Sequence, residues 1–140
     1  MDILTPAARK AIPNFRAPQG FAPYLGVAID ELEDGVARLS LPLRPEHANR
    51  QGIAHGGVIM TLLDVALCSA ALTQHPEARG VLTVTMSTSF IGPGRVRLLA
   101  EGRVLRPGRA TIFTEAKVRN EDGSLVASAI ATVRALPPEK

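Results

Sequence analysis

Residues 49–73 read NRQGIAHGGVIMTLLDVALCSAALT, a polar, glycine-bearing loop that runs straight into a long apolar segment. The segment's length and its Leu, Ala and Met content predict a helix from about residue 57 to 73, which Pro76 then stops. Between Val58 and Leu72 only Thr61, Asp64 and Ser69 are polar. A helix apolar nearly all round must be wrapped on most sides by other structure, so the nature of the wrapping decides the fold.

The flanks supply strands. Upstream, residues 26–33 and 36–43 read as extended, with Ala37, Leu39, Leu41 and Leu43 alternating with Arg38 and Ser40, and Asp34-Gly35 between them as a two-residue hairpin turn. Downstream, extended segments are expected over about 81–91, 96–106, 110–119 and 125–135. Ala110, Ile112, Thr114, Ala116 and Val118 share one face of the third of these, and Asp122-Gly123 turns the chain into the last. The order strand, strand, helix, four strands is not the alternation of a parallel α/β fold. An α+β fold follows, with an antiparallel sheet of about six strands around one long central helix. Ahead of it, Pro6, Pro13, Pro18 and Pro23 break up residues 1–25, which are expected to be a loosely packed lead-in with short helical turns to a domain over residues 26–136.

Composition narrows the function. The chain is 46% hydrophobic but 4% aromatic, so its core is aliphatic and it offers no aromatic platform for stacking bases. Its net charge of +3 comes from arginines scattered among acidic residues, which argues against nucleic acid and leaves a solvated face or a phosphorylated small ligand. Cys68 stands alone, so neither a disulfide framework nor a metal cluster is expected, and a lone Cys in an apolar helix is expected to be buried and inert. The N-terminal residues hold no apolar core of signal-peptide length and no segment is long enough to cross a bilayer, so the cytoplasm is expected.

Asp64 is the outlier, because a carboxylate inside an aliphatic helix costs stability unless it is paired, hydrogen-bonded or functional. It is either a helix Asp that caps a neighbouring loop or meets water at a seam, or a catalytic group. Asn49, His55, Gly56 and Gly57 set a side-chain amide, an imidazole and backbone N–H groups at the helix N-terminus, whose unpaired donors and positive partial charge suit an oxyanion. The two glycines let a ligand approach the backbone or simply make a tight turn. No Ser lies in a Gly-x-Ser-x-Gly elbow and Cys68 has no suitably spaced His, which argues against a Ser or Cys nucleophile.

NRQGIAHGGVIMTLLDVA resembles the signature of hotdog-fold thioesterases of the phenylacetyl-CoA type, in which Asn, then Gly, His-Gly-Gly and a helix Asp follow in this order. The similarity continues upstream in LGVAIDELEDGVARLSLPL and downstream in TVTMSTSFIGPG, VLRPGR and NEDGSLVASAIATV, over about residues 24–134. It implies a hotdog fold and hydrolysis of an aryl- or medium-chain acyl-CoA, without metal or cofactor, coenzyme A being part of the substrate. It further implies that Asp64 activates water or attacks directly, that Thr83 helps hold the water, and that the Gly56 N–H and Asn49 polarise the carbonyl. His55 fits the family's His, as a site residue or as a loop hydrogen bond, while His47 and His75 match nothing and are expected to be exposed. Phe90, Gly92 and Gly94 would border the pantetheine arm beside Gly57, and Arg106, Arg109 and Arg134 would approach the phosphates, unless they are ordinary turn glycines and solvated arginines.

Helix geometry adds an expectation about assembly. Asp64 follows Gly56 by eight residues, which at about 1.5 Å rise per residue separates them by about 12 Å along one helix. One water cannot touch both the carboxylate and a carbonyl bound at the helix N-terminus. A homodimer, or a dimer of dimers as the resemblance also implies, would bring Asp64 of a second copy to the site. The same scaffold hosts dehydratases and proteins that bind acyl-CoA without hydrolysing it, and the second of these is the competing reading.

Overall fold

The computed structural model describes residues 2–138. Its central element is α3, Gly56–Leu72, one residue ahead of the expected span at each end because His55 caps it and Thr73 begins the exit. Before it come α1 (Pro6–Ala11), α2 (Phe21–Leu25), β1 (Ala28–Glu33) and β2 (Val36–Pro42), and after it β3 (Val81–Phe90), β4 (Arg97–Arg106), β5 (Ile112–Asn120) and β6 (Leu125–Ala135). The first strand starts later than expected because Gly26, at φ +93°, ends α2 in the left-handed conformation. The hairpin turns at Gly35 and Gly123 likewise need positive φ, +75° and +89°.

All strands pair antiparallel in one sheet of order β1-β2-β4-β5-β6-β3, as expected for the hotdog architecture. The chain therefore crosses from one side of the sheet to its far edge through α3. The face toward α3 is built from small and aliphatic residues, among them Leu39, Leu98, Ala100, Ala116, Ala127, Ala129 and Val133, all buried. At the crossing with β4 there is no side chain at all. A Cβ on Gly102 would lie 2.2 Å from the Ala66 carbonyl oxygen and 2.8 Å from the Leu67 nitrogen. On the opposite face, Arg38 binds Glu31, Glu33 and Glu101, and Arg103 joins Glu101, so these arginines belong to a solvated ion lattice.

The wrapping of α3 is incomplete. Ile59, Leu62, Leu63, Ala66, Leu67, Ala70 and Ala71 are buried, but Gly57 and Met60 are exposed and Thr61, Asp64, Val65, Cys68 and Leu72 only partly covered. Those positions recur at helical spacing and form one stripe along the side nearest β3. Strand β3 is the sheet's edge: it pairs with β6 on one side and, among the described residues, with nothing on the other. It exposes Leu82, Val84 and Phe90 at 47%, 57% and 54%, and register slips between Thr83 and Thr85, a bulge at Val84.

The opposite edge is closed, and here the expectation of a loosely packed lead-in is corrected. Ile3 and Thr5 exchange backbone hydrogen bonds with Ile29, and the Thr5 hydroxyl donates to the Asp30 carbonyl. Ile3, Leu4, Ala8, Phe15, Ala22 and Leu25 join the core. Prolines interrupted the helical pattern without removing the apolar residues between them, and α1 and α2 are the short helical turns that remain.

The close approach at Gly102 gives a stability test. Gly102→Ala must push α3 off β4, and urea unfolding should show a loss of about 2–3 kcal/mol with an unchanged m-value. A loss under about 0.5 kcal/mol would mean that helix and strand are not packed backbone to backbone.

Candidate active site

The loop that enters α3 is held by its own polar groups. His47, expected to be exposed, is 1% exposed. Its Nδ1 accepts from the Arg44 N–H at 3.0 Å, which leaves the proton on Nε2 to donate to the Leu25 carbonyl at 2.9 Å. Its own carbonyl accepts from the His55 N–H at 2.8 Å. His47 thus ties the end of α2 to both ends of the loop. Its burial escapes sequence reading because it depends on α2, twenty-two residues away, folding over the loop.

Asn49 folds the middle of the loop. Its Oδ1 accepts from the Gln51 and Ile53 N–H groups at 3.0 and 3.2 Å, so only Nδ2 is left as a donor. His55 is the N-cap of α3: Nδ1 accepts from the Gly57 N–H at 2.8 Å, and its carbonyl takes the Val58 and Ile59 N–H groups. At this helix end the Gly56 N–H alone has no partner among the described residues. A Cβ on Gly56 would lie 3.5 Å from the Phe90 ring, so that N–H sits beside the C-terminal end of β3.

Two turns further along, Asp64 meets β3 near its other end. Thr83 Oγ1 donates to Asp64 Oδ1 at 2.5 Å, and Cys68 Sγ lies 3.1 Å from Thr83 Oγ1 and 3.8 Å from Asp64 Oδ1. The Thr83 proton goes to the carboxylate, so the thiol is the donor, shared between Thr83 Oγ1 and Asp64 Oδ1. Asp64 Oδ2 makes no hydrogen bond among the described residues. The structure therefore gathers Asn49, His55, Gly56, Gly57 and Phe90 at one end of α3 and sets Asp64 with Thr83 apart from them at its middle.

Residues 51–127 match the family profile of the thioesterase superfamily, which spans more than half of the chain. The chain belongs to that superfamily. The medium/long-chain acyl-CoA thioesterase YigI of Salmonella typhimurium is 33% identical over 124 residues, covering 77% of this chain and 80% of that one. A thioesterase family protein from Silicibacter pomeroyi is 32% identical, with a TM-score of 0.82 over 94% of this chain and 98% of that one. Escherichia coli PaaI, from the phenylacetic acid degradation operon, shares the fold with a TM-score of 0.83 at 22% identity, over 94% and 97% of the two chains. The protein is a thioester hydrolase of the hotdog fold, PaaI-like in architecture.

The remaining candidate residues of this thioesterase fall in three places. Gly92 and Gly94 are close-packing positions: a Cβ would meet the Leu125 carbonyl oxygen at 2.9 Å in the first case and Leu98 and Ala54 at 3.0 and 3.1 Å in the second. The Gly94 carbonyl accepts from the Ala54 N–H, which pins the loop beside the helix N-terminus. Arg109 and Arg134 line one cavity of about 610 Å³ beyond the C-terminal end of α3, and Arg106 is not among its lining residues. His75, expected to be exposed, is buried on the wall of that cavity, because the turn after α3 folds against residues 134–136. No helix among the described residues is long and apolar enough to cross a membrane.

Cys68, expected to be buried, is only partly covered, and it is part of the hydrogen-bonded chain that ends on Asp64. Burial first, and then the Asp64 carboxylate, push its thiol up to about 12. At pH 8 the thiolate fraction is on the order of 10⁻⁴. Iodoacetamide should leave Cys68 of the native protein unmodified over a time that labels it fully in urea. Rapid native labelling would show that the thiol is not held against Thr83 and Asp64.

Proposed function

We propose that the protein hydrolyses acyl-CoA thioesters, of the aryl- or medium-chain class, at a site divided between two copies of the chain. The observation that carries this reading is the pair of unused groups on α3, the Gly56 N–H at its N-terminus and Asp64 Oδ2 two turns later. YigI supports the choice of acyl-CoA, since its name makes it an acyl-CoA thioesterase. The chemistry needs no cofactor: coenzyme A is the leaving part of the substrate.

In the proposed reaction, the thioester carbonyl lies on the Gly56 N–H and the Asn49 Nδ2, at the positive end of the helix. Water attacks the carbonyl carbon while Asp64 Oδ2 of the other copy takes its proton. The oxyanion collapses, the C–S bond breaks, and the coenzyme A sulfur recovers the proton. Thr83, bonded to Oδ1, fixes the carboxylate so that Oδ2 faces the water. Direct attack by Oδ2 would use the same arrangement. His55 holds the first turn of α3 in shape, and Gly57 and Phe90 flank the carbonyl. Gly92 and Gly94 keep the adjoining loop low beside the pantetheine arm, and Arg109, Arg134 and, from a separate position, Arg106 are assigned to the phosphates.

The pattern of β3 supports one register for the second copy. Through their pairing with β6, Thr83, Met86, Thr88 and Phe90 stand opposite Val133, Ala131, Ala129 and Ala127, and so face α3. Two antiparallel β3 strands match inward to inward residues when Ser87 meets its own copy, which sets Met86 against Thr88. In that register the bulge would bring Phe90, and with it Gly56, opposite Thr83 of the second copy, whose hydroxyl holds Asp64.

Asp64→Asn keeps size and hydrogen bonding but removes the base, and should lower kcat by at least about a hundredfold in a folded protein, while Asn49→Ala should cost about tenfold. Near-native turnover of octanoyl-CoA by Asp64→Asn would refute the chemistry. Binding of acyl-CoA esters with no thiol release from any of them would favour a non-catalytic binding protein instead.

The divided site has its own tests. Ser87→Cys should cross-link two chains under mild oxidation, because facing residues of antiparallel strands lie about 4.5–5.5 Å apart, within disulfide reach. Co-expression of Asn49→Ala with Asp64→Asn should restore about a quarter of native activity, since a mixed dimer gathers both lesions in one site and none in the other. No recovery in a verified mixed dimer would place the site within one chain.

A further inference from the structure

A cavity of about 1020 Å³ opens beside Asp64. Val65, Cys68 and Leu72 of α3 and Val81 of β3 supply apolar lining, and residues 17–20 of the N-terminal lead-in also line it. No aromatic ring lines it, so it offers aliphatic contact without a stacking surface. Residues 17–20 lie outside residues 51–127, the span matched by the superfamily profile.

The cavity's rim is basic. Arg9 is committed, donating to Asp2 and to the carbonyls of Pro13 and Phe15, and Arg16 donates to the Arg79 carbonyl. Arg79 is exposed and is itself among the residues lining the cavity, and its guanidinium makes no hydrogen bond or ion pair among the described residues. Arg79 precedes Thr83 by four residues, so its Cα lies within about 13 Å of the residue that holds the Asp64 carboxylate. An acyl chain whose carbonyl carbon meets the water at Asp64 can lie along Leu72 and Val81 and end at that guanidinium.

We infer that the preferred acyl group is an aliphatic chain that ends in a carboxylate, paired at its far end with Arg79. This rests on the proposed hydrolysis and names its substrate class. A carboxylate meets the guanidinium fork with two parallel hydrogen bonds, whereas a methyl end would cover the cation and return nothing. Selectivity thus arises from what the second substrate loses as much as from what the first gains.

Adipoyl-CoA and hexanoyl-CoA differ only in that terminal carboxylate, and their kcat/KM ratio is the test. The native protein should favour adipoyl-CoA by about fivefold or more, the upper range for a pair with an exposed partner, and the preference should shrink at high salt. Arg79→Gln should bring the ratio to about one, and Arg79→Glu should invert it. A native ratio at or below one, or a preference that survives Arg79→Gln, overturns the inference while leaving hydrolysis intact. If neither ester is cleaved, the hydrolytic reading fails separately, and the ratio of their dissociation constants for the native and Arg79→Gln proteins decides the inference on the same criteria.

Discussion

The backbone of α3 lies directly against the backbone of β4, with Gly102 under the Ala66 carbonyl, and most of the structure depends on that contact. It sets the helix so deep in the sheet that the facing positions can hold little more than Ala, Val and Leu. Burial of the aliphatic core then supplies stability without large side chains, at about 25 cal/mol per Å² removed from water. A helix seated this deeply is wrapped on the sides that touch β2, β4, β5 and β6. Only the stripe nearest β3 stays partly open, and Asp64 is on it. The same seating that buries the helix therefore decides where a carboxylate can stand without losing contact with water.

A second constraint concerns donors. A helix N-terminus offers several unpaired N–H groups, and here nearly all are taken by the chain itself. His55 uses its ring for Gly57 and its carbonyl for Val58 and Ile59, and Asn49 uses its carbonyl oxygen to fold the loop. What remains is one backbone N–H and one side-chain amide, enough for a single oxygen atom. Buried His47 makes that economy rigid by joining α2 to the loop at two points, so the donors are fixed before any substrate arrives.

Much of this was legible in the sequence because it is written in local patterns. The apolar run from Val58, the alternation of β2 and β5, and the two Asp-Gly turns all act within a few residues of themselves, and all six strands and the long helix form where those patterns lie. The lead-in was misread for the opposite reason. Ile3, Ala8 and Phe15 are apolar residues in no periodic pattern, and only the exposed edge of β1 gives them something to cover. His47 and His75 fail in the same way, since each is buried by a segment remote in sequence or by a turn whose path no local signal sets. At the candidate site, the outlier Asp64 was visible as a carboxylate among aliphatic residues. Its partners were less so: Thr83 came from resemblance, and the place of Cys68 in the chain ending on Oδ1 depends on β3 running beside α3.

The separation of Asp64 from Gly56 has a physical reason that goes beyond accommodating a second copy. A carboxylate in the first turn of α3 would lie within reach of the unpaired N–H groups and would cap them, as acidic residues at helix N-termini do. It would neutralise the partial positive charge that an oxyanion needs and would itself become a poorer base, being hydrogen-bonded in its charged form. Two turns away, the same side chain leaves the Gly56 N–H uncommitted and keeps Oδ2 unbonded. A single helix cannot keep both groups active and also hold them within one water's diameter. An antiparallel pair of identical helices can, because each supplies the end that the other lacks. The open edge of β3, with its bulge and exposed Leu82 and Val84, lies along the stripe where such a pairing would form, whereas the β1 edge is closed by the lead-in. The asymmetry between the two edges of the sheet and the spacing of two groups on one helix are, on this view, parts of one arrangement.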